Sequence, residues 1–147
     1  MKTAIGLIVC ALFASSVTLV AQDKNGKFDP PKLVGKWQYV SGIKNGVKVE
    51  EDTLKKQAVI ITKEKITLKG DETFVMKYEL DAAKKPVTIQ LEMLESPFGA
   101  GAKAAGVIEL KDDQIRLCYA PMGEETPKTF DAKEGTKMHL FVLKRAK

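Results

Sequence analysis

Alternation of apolar and polar residues is the dominant pattern of the chain from Gly35 onward. Such alternation places successive side chains on opposite faces of a β-strand. It is clearest in three segments, whose apolar members are Phe74, Met76, Tyr78 and Leu80; Val87, Ile89, Leu91 and Met93; and Ile115, Leu117 and Tyr119. Less regular apolar runs predict further strands at residues 37–39, 59–61, 66–68, 107–110 and 138–143. We therefore expect eight or nine short strands.

Turn residues separate these segments. Asn45 and Gly46 form a strong hairpin pair, and Gly70 with Asp71 marks another break. Residues 50–57 predict the one helix, which is short and has acidic residues at its start, where they suit the helix dipole. Because few connections are long enough to cross over, the pattern predicts an all-β protein: an antiparallel up-and-down barrel of about eight strands with one short helix.

Two longer connections interrupt this meander. Residues 96–104 are rich in glycine and alanine around Phe98, and residues 121–137 carry Pro121, Gly123, Pro127 and Gly135. We expect the glycines near Phe98 to give flexibility. A flexible loop at the mouth of a barrel can serve as a lid.

The first residues have the layout of a secretory signal. Lys2 is followed by residues 4–20 without a charged residue, and Leu19, Val20 and Ala21 offer a cleavage site. The apolar run is shorter than the roughly 20 residues of a membrane-spanning helix, so a retained anchor is the less favoured alternative. We expect a signal peptide at 1–21, a polar N-terminal linker at 22–32 and a single domain at 33–147. The protein is then exported, periplasmic or secreted, without stable membrane insertion.

Charge and cysteine content narrow the function classes. The formal net charge is +5, but the basic residues form short clusters interleaved with acidic ones. Without a basic stripe and interleaved aromatics, we expect no nucleic-acid partner. Cys10 leaves with the signal peptide, so Cys118 is the one remaining thiol and no intramolecular disulfide forms. We interpret Cys118 as a small residue of a packed strand.

Catalytic patterns are weak in this chain. His139 is its one histidine, and no Gly-x-Ser-x-Gly elbow is present. A single imidazole does not provide a zinc site of several histidines. The neighbouring carboxylates fall in predicted turns or at the helix start, where solvated side chains are expected. We interpret His139 as structural or surface-facing, and we expect no enzyme activity, no metal and no cofactor.

The run from Leu33 to Trp37 resembles the Gly-x-Trp start of lipocalin-like barrels, in which the tryptophan, here Trp37, packs under the barrel floor. A wider resemblance includes the run from Leu33 to Ser41. The chain is similar to an uncharacterised lipocalin-like domain family expanded in planctomycete bacteria. The other residues that carry this resemblance are Leu117, Cys118, Tyr119, Pro127, Phe130, Gly135, Leu140, Val142, Leu143, Lys144 and Arg145. The family often has an arginine before the proline numbered Pro127 here, whereas this chain has Thr126. The resemblance implies a small barrel outside the cytoplasm, and the family has no agreed activity.

A barrel with an apolar interior favours a non-enzymatic exported binding module that holds a small apolar ligand. The alternative is a closed-core structural or protein-interaction domain of the cell envelope that acts through surface loops. For the first hypothesis the alternation assigns a ligand-binding face made of Met76, Tyr78, Ile89, Leu91, Met93, Leu117 and Tyr119.

Overall fold

The computed structural model describes residues 28–147, and nine strands contain just over half of these residues. The strands are β1 (Gly35–Lys44), β2 (Val47–Lys48), β3 (Ala58–Ile61), β4 (Lys65–Lys69), β5 (Thr73–Asp81), β6 (Val87–Glu95), β7 (Lys103–Lys111), β8 (Gln114–Pro121) and β9 (His139–Arg145). A 3-10 helix (Pro30–Leu33) precedes β1, and a helix α1 (Glu51–Lys55) follows β2. The predicted signal peptide at 1–21 lies outside the described residues.

The strands form one closed barrel. Going round it, the order is β1, β3, β4, β5, β6, β7, β8 and β9, every pairing is antiparallel, and β1 pairs with β9 to complete the ring. The two-residue β2 pairs only with β1 and is an extra strand at the edge. The predicted antiparallel barrel of eight strands is therefore confirmed. The helix α1 is shorter than the predicted residues 50–57, and Leu54 is its one buried residue.

The predicted linker at 22–32 ends in ordered structure. Its residues 22–27 lie outside the part of the chain that the structure describes. Phe28 packs against the barrel core, and the 3-10 helix begins at Pro30. Proline at the start of such a helix has no backbone N–H that would need a partner there.

Apolar residues that alternate along the strands fill the barrel. The pleat places one residue in two inside, and the register brings these residues into facing layers. Ile66 lies opposite Met76, and Leu117 lies opposite both Ile108 and Phe141. The buried core comprises Leu33, Trp37, Val59, Ile61, Ile66, Met76, Tyr78, Val87, Ile89, Leu91, Ile108, Ile115, Leu117 and Leu143.

One end of the barrel, here called the floor, is closed by Trp37. This side chain is fully buried, and its indole N–H donates a hydrogen bond of 2.8 Å to the Leu33 carbonyl. The Arg145 guanidinium lies 4.3 Å from the centre of the indole ring and donates to the carbonyls of Lys32 (2.7 Å) and Val34 (3.4 Å). The predicted burial of Trp37 is confirmed.

A second apolar layer covers the outer face of β7 and β8. Val107, Cys118 and Ala120 alternate with the inward residues of these strands, yet they are almost completely buried. The long connection between β8 and β9 covers them, because it contains the buried Ala132 and places Phe130 4.4 Å from the Arg116 guanidinium. Cys118 is a free, buried thiol within residues 28–147.

The strand β1 contains a bulge between Tyr39 and Ser41. An extra residue in a strand reverses which side chains face inward beyond it. Tyr39 therefore faces the interior before the bulge and Gly42 faces it afterwards. A Cβ atom at Gly42 would lie 2.9 Å from the Phe141 ring and 3.3 Å from Leu54, so glycine makes room for both side chains.

Candidate ligand-binding site

The end of the barrel opposite the floor opens into a cleft of about 660 Å³. We call this opening the mouth. Its size lies within the range of about 300 to 1,000 Å³ that is usual for small-molecule sites. The lining residues are Tyr39, Lys44, Val49, Thr53, Leu54, Lys56, Gln57, Leu68, Lys69, Gly70, Asp71, Glu72, Phe74, Met76, Met93, Tyr119, His139 and Phe141.

One side of the mouth is a set of four rings on β1, β8 and β9, which we call the aromatic wall: Tyr39, Tyr119, His139 and Phe141. The Phe141 ring centre lies 5.3 Å from that of Tyr39 and 6.2 Å from that of Tyr119. The His139 and Tyr119 ring centres are 5.0 Å apart. Tilted rings at these separations attract one another, and the two tyrosines and the histidine add polar groups to the wall.

The two tyrosines of this wall bring unpaired hydroxyl groups to the mouth. Within residues 28–147, neither the Tyr39 nor the Tyr119 hydroxyl has a hydrogen-bond partner, whereas the Tyr78 hydroxyl donates to the Thr62 carbonyl at 2.6 Å. Burial raises the pKa of Tyr119 to about 12. Burial first, and the charge of Tyr119 second, raise the pKa of Tyr39 still further. Both hydroxyls are therefore neutral near pH 7 and available to donate a hydrogen bond.

The imidazole of His139 lies at the outer edge of the aromatic wall. Its Nδ1 atom accepts a hydrogen bond of 3.3 Å from the Asn45 backbone N–H. Burial lowers the pKa of His139, and the charge of Lys44, its partner across the β1–β9 pairing, lowers it further. The neutral ring with Nδ1 as acceptor carries its proton on Nε2. The sequence interpretation of His139 as structural or surface-facing did not foresee this place in the mouth.

Across the opening lies a wall from β4, β5 and β6, made of Leu68, Phe74, Met76 and Met93, which we call the aliphatic wall because three of its four side chains are aliphatic. In a ring of eight strands β5 is four positions from β9 in either direction, so the two walls face each other. Leu54 of α1 closes part of the gap beside β1. Methionine is unbranched and polarisable, and it adapts to guests of irregular shape.

Charged residues surround the rim of the mouth. Lys44, Lys56 and Lys69 line it, and none of them forms an ion pair within residues 28–147. Asp71 and Glu72 lie in the turn between β4 and β5, beside the aliphatic wall. The cation next to the aromatic wall is thus Lys44, and the two carboxylates belong to the other side.

Below the mouth the barrel is solid. The enclosed space there is about 20 Å³, which is enough for one water molecule. It lies among core residues that include Ile108, Ile115 and Leu117. Inside the barrel, a guest larger than water can therefore enter the mouth without reaching the floor.

The structure divides the seven residues predicted to bind a ligand into three groups. Met76, Met93 and Tyr119 line the mouth. Leu117 borders the small inner void. Tyr78, Ile89 and Leu91 are buried in the packed core, away from the mouth. All seven belong to the inward face that the alternation predicts, but depth along the barrel separates them.

Sequence reasoning missed most of the mouth, including Tyr39, Lys44, Phe74, His139 and Phe141. The strand β9 reads His-Leu-Phe-Val-Leu, in which both faces are largely apolar, so alternation does not say which residues point inward. In β1 the bulge reverses the pattern after Tyr39. The Asn45–Gly46 hairpin was the available signal for Lys44, because a turn at these two residues places Lys44 at the end of a strand and therefore at one end of the barrel.

Two kinds of feature are absent from residues 28–147. No three or more histidine, cysteine, aspartate or glutamate residues lie together in a way that could hold a metal ion. No helix in this part of the chain has the length and apolar character needed to cross a membrane.

Comparison with known proteins finds no matching family model, curated protein or solved structure. The resemblance carried by Gly35 and Trp37 to a lipocalin-like family therefore stays a hypothesis.

Proposed function

We propose that this protein is a non-enzymatic binding module that takes a small, largely apolar ligand into the mouth of its barrel. The observation that carries the proposal is the open cleft of about 660 Å³ between an aromatic and an aliphatic wall. Apolar surfaces with a few converging polar groups are the usual composition of small-molecule sites. The unpaired hydroxyls of Tyr39 and Tyr119 supply such polar groups.

Titration with the neutral fluorescent probe N-phenyl-1-naphthylamine tests this function. We expect saturable enhancement of probe fluorescence. Met93→Trp should weaken probe binding about tenfold or more, because the larger side chain fills the mouth beside the aliphatic wall. Val40→Trp is the matched control: Val40 is 45% exposed outside the mouth, so this variant should bind as the parent does. Equal probe binding by both variants would place the probe elsewhere and contradict the proposal.

A second candidate function is the closed-core structural or interaction domain that acts through surface loops. Two observations favour it: the lower barrel is solid, and Phe98 in the β6–β7 turn is 86% exposed. On a surface loop, such a side chain is available for contact with another protein. Absence of saturable probe binding by the parent protein would favour this candidate. If the partner is a second copy of this chain, sedimentation velocity should show self-association that Phe98→Ser reduces while leaving the unfolding midpoint unchanged.

Export is part of the proposed function. The uncharged stretch at residues 4–20 and the site after Ala21 support a mature chain that begins at Gln22 and acts in the periplasm or outside the cell. The intact mass of protein recovered from a secreting host tests this. Retention of residues 1–21 in the recovered protein would contradict it.

A further inference from the structure

The polar atoms of the aromatic wall, taken together with Lys44 beside it, are mainly hydrogen-bond donors. The Lys44 ammonium group can only donate, and the neutral His139 ring donates from Nε2 because Asn45 occupies Nδ1. The Tyr119 hydroxyl has a hydrogen to donate and no acceptor among residues 28–147. A wall with more donors than acceptors is complementary to a ligand group that consists of acceptors.

The charged residues at the rim also favour a ligand group that is rich in acceptors and negatively charged. Lys44 is the cation beside the aromatic wall, and within residues 28–147 no carboxylate lies within 4 Å of its ammonium nitrogen. Asp71 and Glu72 lie in the β4–β5 turn, on the other side of the opening. An anion at Lys44 is therefore attracted by an unpaired cation and is separated from the two acidic residues.

The opposite wall has no comparable polar groups. Leu68, Phe74, Met76 and Met93 offer carbon and thioether surface, which interacts well with a hydrocarbon chain. A molecule that satisfies both walls has one acceptor-rich, negatively charged end and one flexible apolar part.

We propose that the ligand of the mouth is an amphiphilic carboxylate, with its carboxylate at Lys44 and His139 and its hydrocarbon chain along the aliphatic wall. This inference rests on the proposed function and specifies its ligand class. The carboxylate has two acceptor oxygens, which match the Lys44 ammonium group and the His139 Nε2–H, and the Tyr119 hydroxyl adds a third donor nearby. Because the barrel is solid below the mouth, the chain lies across the mouth and does not descend to Trp37.

Displacement of bound N-phenyl-1-naphthylamine measures the preference for the head group. The competitors are decanoate, decanol and decyltrimethylammonium, which share a ten-carbon chain and carry a negative, neutral and positive head group. We expect decanoate to displace the probe at a concentration about tenfold lower than decanol, which corresponds to one charge-assisted hydrogen bond. Decyltrimethylammonium should be the weakest competitor.

In the variant Lys44→Met, the half-displacement concentration of decanoate should become equal to that of decanol measured in the same variant, so that the preference for the carboxylate is lost. The matched control is Lys55→Met, which removes a lysine of α1 that interacts with Glu51 and Asp52 and does not line the mouth. This control should keep the preference for decanoate. The exposed position of Lys44 means that the fold tolerates its replacement.

The outcomes separate the two proposals. If the parent protein does not bind the neutral probe, the proposed function itself fails. If the probe binds but decanoate is no better than decanol, or the ammonium compound is the best competitor, the mouth binds apolar molecules and the carboxylate inference is wrong. If Lys44→Met and Lys55→Met lost the preference for decanoate equally, that preference would come from the overall charge of the protein. This outcome would also overturn the carboxylate inference.

Discussion

The floor and the mouth of the barrel both combine aromatic rings with a cation, but they differ in how many of their polar groups are paired. At the floor an aromatic ring and a cation are fully engaged: the Trp37 N–H has an acceptor, and the Arg145 guanidinium covers the ring. At the mouth the aromatic rings of Tyr39 and Tyr119 have polar groups without partners in the described chain, and Lys44 has no ion-pair partner there. The polar groups of the floor are therefore paired, whereas the mouth has polar groups without partners in the described chain.

This difference teaches where stability and binding are located in the molecule. Buried polar groups are normally paired, because an unpaired one costs about 1 to 3 kcal/mol. A site that retains unpaired groups gives up some stability and gains the ability to recognise a partner. Substitutions at the floor should therefore lower the free energy of unfolding, while substitutions at the mouth should mainly change binding.

The largest effect is expected from Trp37→Ala at the floor. Removal of a fully buried indole should lower the free energy of unfolding by about 3 to 5 kcal/mol in urea denaturation. Met93→Ala, at the half-buried mouth, should cost less than about 2 kcal/mol. Equal costs for the two variants would remove the distinction between the ends.

Arg145→Met should have the next largest effect. The substitution removes the cation over the Trp37 ring and the donors to the Lys32 and Val34 carbonyls, and should cost about 1 to 2 kcal/mol. Arg145→Lys keeps the charge but loses the planar group with several donors, so it should recover only part of the loss. Full recovery by lysine in the same urea denaturation would show that charge alone matters.

A pair of hydroxyl deletions sharpens the comparison further. Tyr78→Phe removes the hydrogen bond to the Thr62 carbonyl and should cost about 1 kcal/mol. Tyr119→Phe removes a hydroxyl without a partner in the described residues, so the thermal midpoint should stay the same or rise. If Tyr119→Phe destabilised the protein as much as Tyr78→Phe, the Tyr119 hydroxyl would have a partner in the folded protein.

The smallest effect is expected from the titration of His139. Burial and Lys44 lower its pKa in the folded protein below the ordinary value of 6.5. Between these two pKa values the unfolded chain binds more protons than the folded protein does. The stability contributed by neutral His139 is therefore complete above pH 6.5 and is lost as the pH falls through the pKa of the folded protein. The parent should lose more stability than His139→Gln on acidification over this range. Parallel pH profiles of unfolding free energy would contradict the lowered pKa.

The sequence predicted the barrel well because β5, β6 and β8 alternate clearly. In each of these strands one face is apolar, so inward residues such as Met76, Ile89 and Leu117 could be assigned. Alternation says nothing, however, about height along the barrel axis. The height of a residue depends on the stagger between strands. Because of this stagger, Met93 lines the mouth whereas Leu91 is packed in the core.

Two other features escaped prediction for physical reasons. The bulge after Tyr39 adds a residue to β1 and brings Gly42 and the Phe141 ring together. Gly42 is the sign of it in the sequence, but an isolated glycine in a strand marks either a bulge or a close contact and does not say which. The interpretation of Cys118 as a small residue of a packed strand is confirmed, but the sequence did not show that the β8–β9 connection packs on the outside of the barrel, through Ala132, and covers this residue. Such a contact between a loop and a strand follows no periodic pattern.

The pairing of β1 with β9 has a consequence for how this protein folds. The hydrogen bond from Arg145 to the Lys32 carbonyl joins residues 113 positions apart, so the floor cannot be sealed until almost the whole domain is present. Contacts between such distant residues raise the contact order and slow folding, because a large loop must close before they form. We expect the consecutive hairpins to form early and the ring to close last. Until then, the backbone groups of β1 and β9 that later pair with each other are open to pairing with other chains.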